Sequence, residues 1–123
     1  MAERGIRSYQ DLDVWQVAME VAERCYKLTQ AFPKEELFGL TAQIRRASAS
    51  VAANIAEGYG RESRREYLQF LRIAQGSQKE LETYLLLAVR VGLTTEREIA
   101  PIMTGCDRVG KMLHRLIRSL QKE

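Results

Sequence analysis

Apolar residues recur at steps of three and four along four separate stretches of this chain, and nowhere do they alternate strictly with polar ones. The first pattern is the period of a helix and the second would mark a half-buried strand, so an all-α fold is expected. The last stretch is the cleanest: Ile102, Cys106, Val109, Leu113, Leu116 and Leu120 alternate steps of four and three, an a/d seam. In the first stretch Val14, Ala18, Val21, Cys25, Leu28 and Phe32 share one stripe, which Trp15, Ala22 and Tyr26 widen. Leu37, Leu40, Ile44, Ala47, Val51 and Ile55 mark the second stretch, and Tyr67, Leu71, Ala74, Leu81, Leu85 and Ala88 the third.

The punctuation between stretches places the helices at about 13–30, 35–57, 63–91 and 95–121. Pro33 ends the first, because proline lacks an N–H and biases the residue before it away from helix. Gly58 suits the left-handed position that closes many helices, and Tyr59-Gly60 completes a turn. Ser63 with Glu66, and Thr95 with Glu98, have the spacing of capping boxes. Gly92 and Thr94 end the third helix, and Pro101 either kinks the fourth or moves its start to Ala100. With short connections and 123 residues, one domain is expected, an antiparallel up-down-up-down four-helix bundle.

Met1 to Val14 carries Glu3, Arg4, Arg7, Asp11 and Asp13 rather than the apolar stretch of a signal peptide, so a cytoplasmic protein is expected. The longest apolar run, Leu85–Val89, falls far short of the roughly 20 residues of a membrane span. Cys25 and Cys106 lie in no CxxC or Cys/His cluster and read as reduced, buried thiols. The single histidine, His114, has no second histidine with which to bind a metal and reads as structural or surface. No phosphate-binding glycine loop or nucleophile elbow occurs. No catalysis, cofactor or metal is expected.

Charge says more. Residues 1–105 hold fourteen Lys/Arg against fourteen Asp/Glu, and residues 106–123 hold five against two, so the whole excess of +3 lies in the last helix. Arg108, Lys111, Arg115, Arg118 and Lys122 span an arc of about 80°, centred roughly 160° from the apolar seam. This is the solvent face, and cations near a helix C-terminus are favoured by its dipole. A merely soluble face would mix signs, however, so the stripe is also a candidate contact for nucleic acid or an acidic partner. Arg61, Arg64 and Arg65 oppose the dipole at the start of the third helix and share one end of the bundle with Arg4 and Arg7, although Glu57, Glu62 and Glu66 lie there too.

Gln43, Ala47, Ser50, Asn54 and Glu57 form a small, polar stripe on the second helix, where a buried Asn54 would fix register or oligomer state. Gly76, mid-helix, costs about 1 kcal/mol relative to Ala and calls for close packing beside it. Trp15, Met19, Tyr84, Leu86, Leu87 and Met112 lie partly off the tightest stripes. Either they widen one monomeric core, or they leave apolar patches that a homo-oligomer would cover.

Several blocks also carry a family resemblance: Ser8-Tyr9-Gln10-Asp11-Leu12 with Val14-Trp15, Phe32-Pro33 with Glu36-Leu37-Phe38-Gly39-Leu40, and Gln43-Ile44-Arg45-Arg46-Ala47. To these are added Asn54-Ile55-Ala56-Glu57-Gly58-Tyr59-Gly60-Arg61, Tyr67 through Ile73-Ala74 to Gly76-Ser77 and Glu80-Leu81-Glu82, and an ending on Leu113, Leu116-Ile117 and Ser119-Leu120. Over almost its whole length the chain resembles the four-helix-bundle proteins encoded within intervening sequences of bacterial 23S ribosomal RNA genes, with Pro101 as the main departure. It is also similar to the accessory proteins of diversity-generating retroelements. That second resemblance implies basic bundles in rings of five that help a reverse transcriptase handle nucleic acid. The expected function is therefore a non-catalytic, oligomeric bundle binding structured RNA or DNA through its basic residues, or else a scaffold for a polypeptide partner.

Overall fold

The computed structural model describes residues 5–122, and among these there is no strand. Four helices, α1 (Asp13–Thr29), α2 (Leu40–Tyr59), α3 (Arg64–Arg90) and α4 (Glu96–Lys122), follow one another, with single 3-10 turns at Tyr9–Asp11 and Lys34–Glu36. Each packs on the next and α1 closes on α4, with no diagonal pair in contact. Neighbours run antiparallel: Arg45, early in α2, bonds Thr29 and Tyr26 late in α1, and Gly58, late in α2, meets Tyr67 and Phe70 early in α3. This is the expected four-helix bundle.

The core follows the stripes except at Leu37 and Tyr26, which are about half exposed. Val14, Ala18, Val21 and Cys25 of α1 meet Ile44, Ala47, Val51 and Ile55 of α2, Leu71, Ala74, Leu81, Leu85 and Ala88 of α3, and Ile102, Cys106, Val109 and Leu113 of α4. Beyond Leu113 the seam shifts by one residue, for Ile117 is buried while Leu116 and Leu120 are only half-buried. A straight helix drifts about 20° per heptad from a 3.5-residue repeat, which accounts for the change.

Three expectations are corrected, and one open alternative is settled. α2 begins at Leu40 rather than near residue 35, because two tight turns follow Pro33 and the Glu36 carboxylate takes the Leu40 N–H (3.1 Å) as a helix-start partner. At its other end α2 continues to Tyr59, so Gly58 is helical and buried rather than a left-handed terminator. The reason for glycine is α3: a Cβ at residue 58 would lie 2.8 Å from the Phe70 Cβ and 3.2 Å from the Tyr67 carbonyl. Gly76 is the reverse case, exposed and with nothing within 4 Å of where a Cβ would stand. Finally, α4 starts at Glu96 and runs through Pro101, which removes the alternative start at Ala100.

The caps are partly as expected. Ser63 Oγ accepts the Glu66 N–H and Thr95 Oγ1 accepts the Glu98 N–H, each at 3.1 Å, but the Glu98 carboxylate turns to the Thr94 hydroxyl. A reciprocal box forms instead at Ser8 and Asp11, ahead of α1. Gly92, with φ of +85°, lets the chain leave α3.

The two glycines make opposite predictions. Gly58→Ala should destabilise by about 1–3 kcal/mol through overpacking, and Gly76→Ala should stabilise by up to about 1 kcal/mol through helix propensity. Urea unfolding midpoints at equal protein concentration check both, and equal shifts of one sign would contradict the packing described.

Candidate nucleic-acid interface

Burying Leu71, Ala74 and Leu81 fixes the rotation of α3 and aims Arg65, Arg72 and Lys79, spaced by seven, along an arc of about 40° on its solvent side, from which Arg72 and Lys79 border α4. Burying Cys106, Val109 and Leu113 likewise turns Lys111, His114 and Arg115 to the outer side of α4. Between the two rows runs an open groove of about 790 Å³, lined by Arg72, Lys79, Lys111, His114 and Arg115 together with Glu82 and Asp107. Gly76 and Gly110 keep it unfilled, and Gln78 forms part of its wall.

Gln78 ties the helices together. Its side-chain Nε2 donates across to the Cys106 carbonyl of α4 (2.9 Å) and along α3 to Glu82 Oε2 (2.8 Å). The carboxylates in the groove are partly engaged, Glu82 with Lys79 at 3.5 Å and Asp107 with Lys111 at 3.2 Å. Among the described residues Arg72 and Arg115 have no ion pair. Four Lys/Arg against two carboxylates leave the groove with a formal charge of +2. Such a surface attracts polyanions.

The cations singled out in the sequence do not all converge here. Lys111 and Arg115 line the groove, while Arg118 and Lys122 join Arg115 and Ser119 around a smaller depression nearer the end of α4. Arg108 is rotated about 60° from Lys111, toward the α1 side. Arg65 extends the α3 row, and Arg64 is exposed in the first turn of α3. Arg61 is otherwise occupied, paired with Glu57 and stacked over Phe70 at 4.8 Å. Arg4 lies outside the described residues.

Elsewhere, the small polar stripe of α2 is a helix-to-helix contact. Asn54 is half-buried rather than buried, and its Nδ2 donates to the carbonyl and hydroxyl of Ser50, whose Oγ meets Ser77 of α3 at 2.8 Å. Both thiols are free and buried, and burial pushes each up to about 12, so neither is a nucleophile at neutral pH. Among the described residues no group of three or more His, Cys, Asp or Glu is placed to hold a metal ion, and no helix is long and apolar enough to cross a membrane.

Comparison with known proteins follows the same lines. The profile of the 23S rRNA-intervening sequence proteins matches residues 10–115. The chain belongs to this family. Among solved structures, one similar chain is a protein of unknown function from the S23 ribosomal protein family of Bacteroides thetaiotaomicron, 28% identical, with a TM-score of 0.76 over 85% of this chain and 97% of that one. No curated protein matches.

Family membership accounts for the bundle but does not point to the groove. Arg72, Lys79 and Gln78 were not singled out from the sequence, and His114 was read as structural or surface, although it lines the groove. The available signal was the seven-residue spacing of Arg65, Arg72 and Lys79, diluted because Glu66, Glu80 and Glu82 are interspersed among the cations of α3. Apolar surface is also more extensive than expected. Trp15, Met19 and Tyr26 of α1 and Ala49, Ala53 and Ala56 of α2 line a second open groove, with Trp15 edge-on to Tyr9. On α3, Ile73 and Leu87 are nearly half exposed, and in the α1–α2 connection Phe38 is 91% exposed with Leu37 beside it.

Proposed function

We propose that this chain is a non-catalytic, oligomeric bundle of the cytoplasm that binds structured nucleic acid through phosphate contacts at its basic surface. The observation that carries the reading is the α3/α4 groove, where Arg72 and Arg115 face solvent from two helices without carboxylate partners. Guanidinium groups so placed can exchange their counterions for a phosphate chain. Contacts of this kind position a nucleic acid without reading its sequence, so low sequence specificity is expected. The association of the family with 23S rRNA favours RNA as the polymer.

A second reading, a scaffold for a polypeptide such as a reverse transcriptase, is favoured by Phe38, which is held almost wholly in solvent. A partner that stays bound through nuclease treatment would support it.

The oligomeric part of the proposal rests on two apolar surfaces of different shape. The α1/α2 groove is concave, with Lys27 on its rim and Arg45 stacked over Tyr26 at 4.7 Å. Ile73, Tyr84 and Leu87 make a ridge on the α2 side of α3, with Glu80 among them to meet those cations in a second copy. Adjacent faces of a four-helix bundle are about 90° apart, and a heterologous contact between such faces closes into a small ring, the corner angle being about 90° for four copies and about 108° for five. The resemblance to ring-forming accessory proteins favours five.

Two measurements follow. Anisotropy titrations of a ribosomal RNA fragment between about 50 and 200 mM salt should give a steep loss of affinity, and Arg72→Ala with Arg115→Ala should flatten the log–log slope by about 1.5–2. No binding at the lowest salt rejects the reading. Light scattering should give the mass of five chains of 14.1 kDa for the wild type and of one chain for Leu87→Glu. A wild-type mass of one chain rejects the ring.

A further inference from the structure

The α3/α4 groove contains one polar atom that its own protein leaves unused. Gln78 is only 4% exposed, and both hydrogens of its Nε2 are committed, to the Cys106 carbonyl and to Glu82 Oε2. Both partners are acceptors, so the carboxamide cannot turn over without setting oxygen against oxygen. Its Oε1 is thereby held in a fixed direction and accepts no hydrogen bond from the described residues. No fully buried side-chain N or O among those residues lacks a partner, so Oε1 must reach solvent, and the space it reaches is the groove that Gln78 lines.

Gly110 keeps that oxygen uncovered. A Cβ at residue 110 would stand 3.2 Å from Oε1 and 3.1 Å from Nε2, closing over the carboxamide. Gly76, on the opposite lip, has nothing within 4 Å of its missing Cβ. Around this acceptor stand the cations Arg72, Lys79, Lys111 and Arg115. A ligand suited to the groove therefore offers negative charge to the rows and a hydrogen-bond donor to the floor between them.

The geometry points to selection of RNA over DNA in this groove, with the Gln78 Oε1 accepting a ribose 2′-hydroxyl while Arg72 and Arg115 hold phosphates of the same strand. The inference rests on the reading of the groove as a nucleic-acid site and names the polymer. Of the two nucleic acids only RNA carries a sugar hydroxyl next to its phosphates that can donate, and that hydroxyl is the group by which a protein tells the two apart. Because the acceptor is preset by two hydrogen bonds within the protein, no side-chain ordering is needed when the ribose arrives.

The test compares three ligands of one hairpin sequence at one low salt concentration: RNA, DNA, and RNA carrying 2′-O-methyl groups, which retains the A-form helix but cannot donate. Wild-type protein should bind the RNA about threefold to tenfold more tightly than either of the others, the range a single neutral hydrogen bond supports. Gln78→Met, of similar volume and lacking the acceptor, should bind RNA and the methylated RNA with equal affinity. The methylated ligand needs no variant, so the outcome does not depend on whether Gln78→Met folds. Equal affinity of wild-type protein for RNA and methylated RNA would overturn the inference while leaving phosphate binding intact. Failure to bind any of the three would overturn the nucleic-acid reading and this inference with it.

Discussion

Every feature of this surface depends on how far each helix is rotated about its own axis, and burial of one apolar stripe per helix sets that rotation. On α4 the fully buried Cys106, Val109 and Leu113 leave no freedom to roll without exposing a large side chain, at about 1.5–3 kcal/mol for each of the larger ones. With that angle fixed, Lys111 and Arg115 can only face outward beside α3. On α3 the buried Leu71, Ala74 and Leu81 likewise set Arg72 and Lys79 along the other border of the groove. Gln78 then locks the pair in register by donating to the Cys106 carbonyl. Electrostatics on the outside is thus a consequence of packing on the inside.

Most of the fold was legible from the sequence because helix rotation is encoded in apolar spacing, which survives local exceptions. What escaped was where side chains of neighbouring helices meet. Gly58 looked like a helix terminator, and only the closeness of Tyr67 and Phe70 shows it to be a contact point. Gly76 looked like the contact point and is open. Leu37 fitted the α2 stripe, but the turns after Pro33 and the Glu36 cap detach it from the helix. The candidate site was half legible: the Lys111 and Arg115 row follows from the one-sided charge at the end of α4, whereas Arg72 and Lys79 sit in a helix where glutamates are interspersed among the cations, so no local excess marks them. Gln78 could not have been read as a binding group, since a lone glutamine on an apolar stripe acquires meaning only from the carbonyl opposite.

The structure also keeps features that an isolated bundle would have no reason to keep. Unpaired guanidinium groups on adjacent helices repel one another, an exposed glycine mid-helix forfeits about 1 kcal/mol, and Phe38, Ile73 and Leu87 hold apolar surface in water. On the proposed function, phosphates would relieve the guanidinium groups and a second copy would cover the Ile73 and Leu87 ridge. Closed symmetry would repeat the α3/α4 groove around a ring, so that a modest charge per chain becomes a continuous basic track.

The central claim, that the α3/α4 groove and not another face holds the nucleic acid, is tested most directly by lysine acetylation footprinting with and without bound RNA. The five lysines report on separate parts of the surface: Lys79 and Lys111 in the groove, Lys122 beyond its end, Lys27 on the rim of the α1/α2 groove and Lys34 in the α1–α2 connection. RNA should protect Lys79 and Lys111 while leaving Lys27 and Lys34 as reactive as in the free protein. Protection of Lys27 and Lys34 with Lys79 and Lys111 unchanged would contradict that claim.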